Sequence, residues 1–231
     1  MSLDYLKENL DELKQKISAA AKSCGRNAEE IRLIAVSKNF PSEQIDFLNK
    51  YGQIDFGENK VQELALKAGT LNTNNINWHL IGHLQRNKVK QAVEFASMIQ
   101  SVDSLKLAET IQQHCEKSEK VMEILIQVNT SGEDQKSGCE PGETLKLCEE
   151  ISRFPNINLR GLMTIGKLTE DEGELRKNFC VLRELFDKAG NSVKKLDFLS
   201  MGMTSDFEIA IEEGANMLRI GSAIFGQRNY I

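Results

Sequence analysis

The chain has 231 residues, enough for one sizeable core without disulfide or metal staples, and its 40% hydrophobic and 27% charged residues are ordinary for a soluble globular protein. A net charge of -5 argues against a general nucleic-acid binder, which relies on clustered Lys and Arg facing phosphates; Arg86, Lys88 and Lys90 read as a solvated helix face. Five cysteines without a Cys-x-x-Cys pair, and three histidines without zinc-ligand spacing, suggest neither a disulfide framework nor a metal site. Charged residues from Asp4 to Glu12 do not fit a signal peptide, and no apolar run approaches the roughly 18 residues of a membrane span, so the expected compartment is the cytoplasm with reduced cysteines.

Leu3, Leu6, Leu10, Leu13, Ile17 and Ala20 recur at steps of three and four, which predicts an amphipathic helix over 1–24, ended near Gly25. From residue 31 onward strand and helix patterns alternate. The strands fall at 31–36, 54–56, 78–81, 98–101, 123–128, 159–164, 196–200 and 217–220; the helices at 42–51, 60–68, 86–95, 104–118, 141–154, 172–189 and 206–213. Ser42 and Ser104 suit N-caps, and Gly69, Gly190 and Gly214 stand where helices should stop. No linker or low-complexity stretch divides the chain, so 1–231 reads as a single domain. Eight strands with crossover helices predict an α/β fold, a (β/α)8 TIM barrel preceded by an extra N-terminal helix, with an open doubly wound sheet as the alternative.

In such a barrel the chemistry sits where strands end. The run 31–36 is apolar enough for a strand buried on both faces, and Lys38 stands at its exit. A partly desolvated lysine amine can attack carbonyls and form a Schiff base. The next exits bring Asn59, then His79 within the third strand and His83 after it, then Asn129, Thr130 and Ser131. The last two loops carry Ser200, Gly202, Thr204 and Ser205, and Gly221 with Ser222, small and polar residues of the kind that bind phosphate at this end of a barrel. The same residues also make ordinary turns and caps. Arg219, behind Met217 and Leu218, would point into the mouth; it could face the nitrogen of a pyridine ring, or pair with Asp206, Glu212 or Glu213. Lysine, arginine and two such loops on one rim suggest a phosphorylated aldehyde or ketone as ligand.

The segments IRLIAVSK (31–38), DFGENKVQE (55–63), WHLIGHLQRNK (78–88), SVDS (101–104), SGEDQKSG (131–138), RGLMTI (160–165) and LSMGMTSDFEIAIEEGANMLRIGSAIFG (199–226) resemble the pyridoxal phosphate homeostasis proteins, a group related to the barrel of alanine racemase. The resemblance implies pyridoxal 5'-phosphate held as a Schiff base on Lys38, with Arg219 facing the pyridine nitrogen and Ser200, Gly221 and Ser222 around the phosphate. Asn59 would stand near the cofactor, Met201 and His79 would line the pocket, and Lys136 would be a second lysine for transfer or secondary binding. Thr204 and Ser222 depart from the common pattern by exchanging one hydroxyl residue for another. The implied function is non-catalytic: holding and delivering pyridoxal phosphate in vitamin B6 homeostasis. The alternatives are a weak racemase, a Schiff-base aldolase, or an interaction protein that senses the cofactor. Racemisation needs an acid and a base on opposite faces of the substrate carbon. Alanine racemases add a β-rich domain and a tyrosine that this chain is not expected to have; its tyrosines are Tyr5, Tyr51 and Tyr230. Expected partners are pyridoxal phosphate and apo forms of enzymes that use it. No nucleic acid or membrane partner is expected, and the chain should be a monomer.

Overall fold

The computed structural model describes residues 3–71, 75–133, 135–167, 169, 171–193 and 196–226. Tyr230 lies outside them.

Eight parallel strands close into a barrel in chain order: β1 (Arg32–Val36), β2 (Asp55–Glu58), β3 (Asn77–Leu80), β4 (Met98–Val102), β5 (Met122–Gln127), β6 (Ile157–Met163), β7 (Phe198–Ser200) and β8 (Met217–Ile220). Closure is made by β1 against β8, with Ile34 beside Arg219 and Ala35 beside Ile220. All eight predicted strands are present, each displaced by no more than a few residues. The helices α1 (Asp4–Ser23), α2 (Ser42–Lys50), α3 (Val61–Thr70), α4 (Val89–Phe95), α5 (Leu105–Lys117), α6 (Thr144–Ile151), α7 (Glu172–Ser192), α8 (Phe207–Glu212) and α9 (Ser222–Phe225) complete the described fold.

Side chains alternate across each strand, and that parity sorts the core into two parts. Ile34, Met98, Leu125, Met163 and Met217 meet inside the barrel. Their neighbours Ala35, Ile99, Ile124, Leu162 and Leu218 face outward into the layer shared with the helices. At the bottom of the barrel Arg160 joins Glu123 and Asp197, while Arg32 and Arg160 both lie over the Phe198 ring, at 5.0 and 5.2 Å. This ionic floor closes the end opposite the strand exits.

On α1 the buried stripe is Leu6, Leu10, Leu13, Ile17 and Ala21, with the expected Leu3 and Ala20 partly buried against the same core. Burying each large apolar side chain contributes about 1.5–3 kcal/mol. Asn9 donates to the Ile224 carbonyl at 2.9 Å, and Arg26 donates to the carbonyls of Ile211 and Ala215, both at 2.8 Å. The helix is thereby fastened to the last βα units.

Some helix boundaries differ from expectation. Ser42 is the first residue of α2, with Pro41 in the cap position. Ser104 does occupy the cap of α5, but its hydroxyl donates to Asp103 rather than accepting from the helix. Gly69 and Gly190 lie inside α3 and α7, whereas Gly25 and Gly214 take positive φ just past α1 and α8. The cysteines are free, and burial pushes the thiols of Cys139 and Cys148 up to about 11 and about 12. Among the described residues no helix is long and apolar enough to cross a membrane, and no group of residues could hold a metal ion.

Candidate functional site

A cavity of ≈ 510 Å³ opens at the strand exits. Lys38, Asn59, His83, Lys136, Thr204, Ser205, Arg219, Gly221 and Ser222 all line it, so nine of the residues singled out in the sequence share one mouth. Parity explains the first of these. Ile34 faces inward, Val36 lines the cavity, and Lys38 stands two residues further on.

The backbone on either side of Lys38 is locked from α3. Lys67 is buried and its Nζ donates to the Ser37 carbonyl at 2.8 Å, to Glu58 at 2.7 Å and to Glu63 at 2.7 Å. Glu58 also accepts from the Ser37 hydroxyl at 2.6 Å, and Glu63 accepts from the Asn39 amide at 2.6 Å. Asn39 has φ 66°, a left-handed conformation that its amide bond to Glu63 supports. Phe40 then stacks on Phe225 at 4.8 Å, pinning this turn to α9. Burial raises Glu58 above the usual carboxylate range, opposed by Lys67 and the Ser37 hydroxyl. The lysine turn is thus held by buried ionic contacts.

The Asn59 exit is set by close approach. A Cβ on Gly82 would fall 2.4 Å from the Asn59 carbonyl oxygen, so the β3 exit can touch the β2 exit only with glycine there. On the far side Lys136 pairs with Glu133 at 2.5 Å and donates to the Gly166 carbonyl at 3.1 Å.

Arg219 is 4% exposed, and its position is fixed by two bonds, Nη1 to the Ser200 hydroxyl and Nη2 to the Thr164 carbonyl, each 2.7 Å. Burial pushes it down to about 10, opposed by the charge of Asp206. Of the carboxylates weighed as partners, Asp206 accepts from the Met203 amide, and Glu212 and Glu213 bind Arg176. The loop after β7 turns at Gly202, with φ 95°, where a Cβ would meet that of Ala210 at 2.7 Å. It brings Thr204 and Ser205 to the cavity, and the Thr204 hydroxyl lies 3.1 Å from that of Ser222.

Three expected pocket residues lie elsewhere. Ser200 is fully buried beneath Arg219, because β7 is short and its last residue pairs with Met217 instead of reaching the rim. Met201 has the opposite parity and sits in the outer helical layer. His79 is paired with Gly57 and Met98 at mid-barrel, two residues below Ile81, and bonds Asp55 and Gln100. Gln127, Ser137, Ile165 and Met203 line the cavity without having been singled out. Gln127 was legible by parity, two residues past the inward Leu125; the others lie on loops, where no period applies.

A family model described as the alanine racemase N-terminal domain matches residues 1–229. The chain belongs to that family. The chain is 40% identical over 224 residues to the pyridoxal phosphate homeostasis protein of Aquifex aeolicus, covering 96% of this chain and 98% of that one. It is 41% identical over 225 residues to the protein of the same name from Helicobacter pylori, covering 96% and 99%. Among solved structures, PipY of Synechococcus elongatus with pyridoxal phosphate bound superposes with a TM-score of 0.85 at 32% identity, over 96% of this chain and all of that one. An alanine racemase of Clostridium difficile superposes with a TM-score of 0.77 at 17% identity over 56% of its length, a likeness of fold.

The donor set suits a phosphorylated aldehyde. Two amines, those of Lys38 and Lys136, one guanidinium, the Asn59 amide and the hydroxyls of Thr204, Ser205 and Ser222 surround a single cavity, with Gly221 packed against the β1 exit at Val36.

Proposed function

We propose that this chain binds pyridoxal 5'-phosphate in the cavity at the strand exits and acts in cellular homeostasis of that cofactor, as a carrier and not as an enzyme. The observation that carries the reading is the meeting of Lys38, Arg219 and the two hydroxyl-bearing loops around one cavity. Bound pyridoxal phosphate supplies an aldehyde, which condenses reversibly with an amine, and a phosphate group. Lys38 provides the amine, from a turn that Lys67, Glu58 and Glu63 hold still. Thr204, Ser205, Gly221 and Ser222 receive the phosphate, Asn59 flanks the ring, and Arg219 faces the ring nitrogen from below as an obligate donor. Lys136, across the same cavity, is the second amine and serves release or secondary binding. His79, Ser200 and Met201 do not touch the cofactor.

The carrier reading is favoured over a racemase by where the tyrosines among the described residues lie. Tyr5 meets Gln44 and Tyr51 meets Asp11, all on the outer helices, so neither supplies a proton donor across the cavity. The barrel works as one domain, in the cytoplasm, exchanging the cofactor with apo enzymes. The test is borohydride reduction of protein loaded with pyridoxal phosphate, followed by peptide mapping. Trapping on Lys38, lost in Lys38→Ala, is the expected result; label that persists in that variant would overturn the assignment.

A further inference from the structure

The interior of a (β/α)8 barrel is ordinarily filled by apolar layers. Here a run of polar side chains crosses it from the cavity floor downward: Arg219, which lines the cavity, then Ser200, Gln100, His79 and Asp55, from five different strands and all buried. Arg219 Nη1 lies 2.7 Å from Ser200 Oγ, Ser200 Oγ 2.8 Å from Gln100 Oε1, Gln100 Nε2 3.1 Å from His79 Nδ1, and His79 Nε2 3.0 Å from Asp55 Oδ1.

The direction of every link follows from one end. A guanidinium can only donate. Ser200 therefore accepts from Arg219 and gives its own hydrogen to Gln100 Oε1. That turns the Gln100 amide nitrogen toward His79, and its other hydrogen meets the Met217 sulfur at 3.2 Å, an acceptor. Nδ1 of His79 must then carry a lone pair, and its ring hydrogen sits on Nε2, donated to Asp55. The chain ends on a carboxylate held below its usual range: burial raises Asp55, but the His79 bond, Arg32 and Asn77 outweigh it. Hydrogen bonds aligned in one sense polarise one another, most strongly where water is excluded.

We propose that Asp55, His79, Gln100 and Ser200 are positioning residues that hold the Arg219 guanidinium in one orientation at the cavity through a single aligned hydrogen-bond chain. This rests on the pyridoxal phosphate reading only for what Arg219 faces; the alignment belongs to the protein alone. Thr164 fixes the other nitrogen of the guanidinium through its carbonyl, so the two bonds together determine how the plane is presented.

The experiment has two arms. In the first, nitrogen NMR of the labelled cofactor-free protein in slightly alkaline buffer reads the His79 ring, assigned by comparison with His79→Asn. A hydrogen on Nε2 alone is expected; a hydrogen on Nδ1, alone or with Nε2, would overturn the chain. In the second, Gln100→Leu and Ser200→Ala are titrated with pyridoxal phosphate. Binding should weaken about tenfold, as for loss of a buried hydrogen bond to a charged group, and the absorbance of the bound cofactor should shift. Ser200→Thr, which keeps the hydroxyl, should restore both. Met98→Leu, in the same interior layer but off the chain, should shift neither. Unchanged absorbance and affinity in a folded Ser200→Ala would overturn the positioning role, whatever its unfolding midpoint. Were Gln100→Leu not to fold, Ser200→Ala and the wild-type tautomer still decide. Were wild-type protein to take up no pyridoxal phosphate, the cofactor reading would fall, while the tautomer would still judge the chain.

Discussion

Lys67→Met removes the cation on which the Lys38 turn is built. Lys67 is 5% exposed and bonds two carboxylates and a carbonyl, each within 2.8 Å. Methionine keeps most of the volume, so the cost is chiefly electrostatic. Removing one partner of a buried pair costs about 3–5 kcal/mol, because the remaining charge is left uncompensated. Glu58 would carry most of it: it is fully buried, and its second oxygen already has no hydrogen-bond partner among the described residues. The sign with pH follows. Burial already holds Glu58 above its unfolded range, and loss of Lys67 removes the largest opposing influence, so the folded state would favour the protonated acid more strongly. A group whose pKa is raised on folding stabilises fully below its unfolded pKa and loses that contribution as pH rises through the folded one. The variant should therefore be weakest at neutral and alkaline pH and regain stability on mild acidification, before general acid unfolding. Urea unfolding of wild type and variant at several pH values measures this, and adding Glu58→Gln to Lys67→Met should recover about half of the loss. A loss below about 1 kcal/mol, or one that does not shrink toward acid, would refute the argument.

Gly82→Ala should push the Asn59 carbonyl out of place and weaken pyridoxal phosphate binding at least about tenfold, equivalent to about 1.4 kcal/mol; equilibrium titration with wild-type affinity would show that the two exits are not so tightly set. Lys136→Ala should leave borohydride trapping at Lys38 intact while changing the rate of cofactor transfer to an apo enzyme, and loss of the primary label would mean the two lysines are reversed. Arg219→Gln removes the guanidinium that binds Ser200 and Thr164, and should cost about 2–3 kcal/mol in urea unfolding and shift the absorbance of bound pyridoxal phosphate. An unshifted spectrum in that variant would place Arg219 away from the ring.

Strand periodicity carried the barrel. Parallel strands buried on both faces read as short apolar runs between helical patterns, and here each run was preserved as a strand. The site was legible wherever it depended on a strand exit and its parity: Lys38, Asn59, Arg219 and Gly221 all fall on the cavity. Depth was not legible. Ser200 and His79 have inward parity, but sequence order does not say how far below the rim a residue of a tilted strand ends, and both lie in the chain of buried polar groups. Met201 lies off the cavity for a simpler reason, since two neighbouring strand residues cannot both face inward. Gly69 and Gly190 show that tertiary contacts can carry a helix through a glycine that local propensity would use to stop it.

The ties between α1 and the far end of the barrel bear on how the chain is made. Asn9 holds Ile224 across 215 positions, and β1 acquires its second neighbour only when β8 is available. A nascent chain on the ribosome thus carries an amphipathic helix and an open strand edge until nearly all of it has emerged. Contacts of such long sequence separation slow folding and prolong exposure of apolar surface. During synthesis this protein should depend on chaperone shielding more than a domain of equal size assembled from local hairpins, and ribosome-bound fragments cut short before β8 should be open to proteases along their whole length.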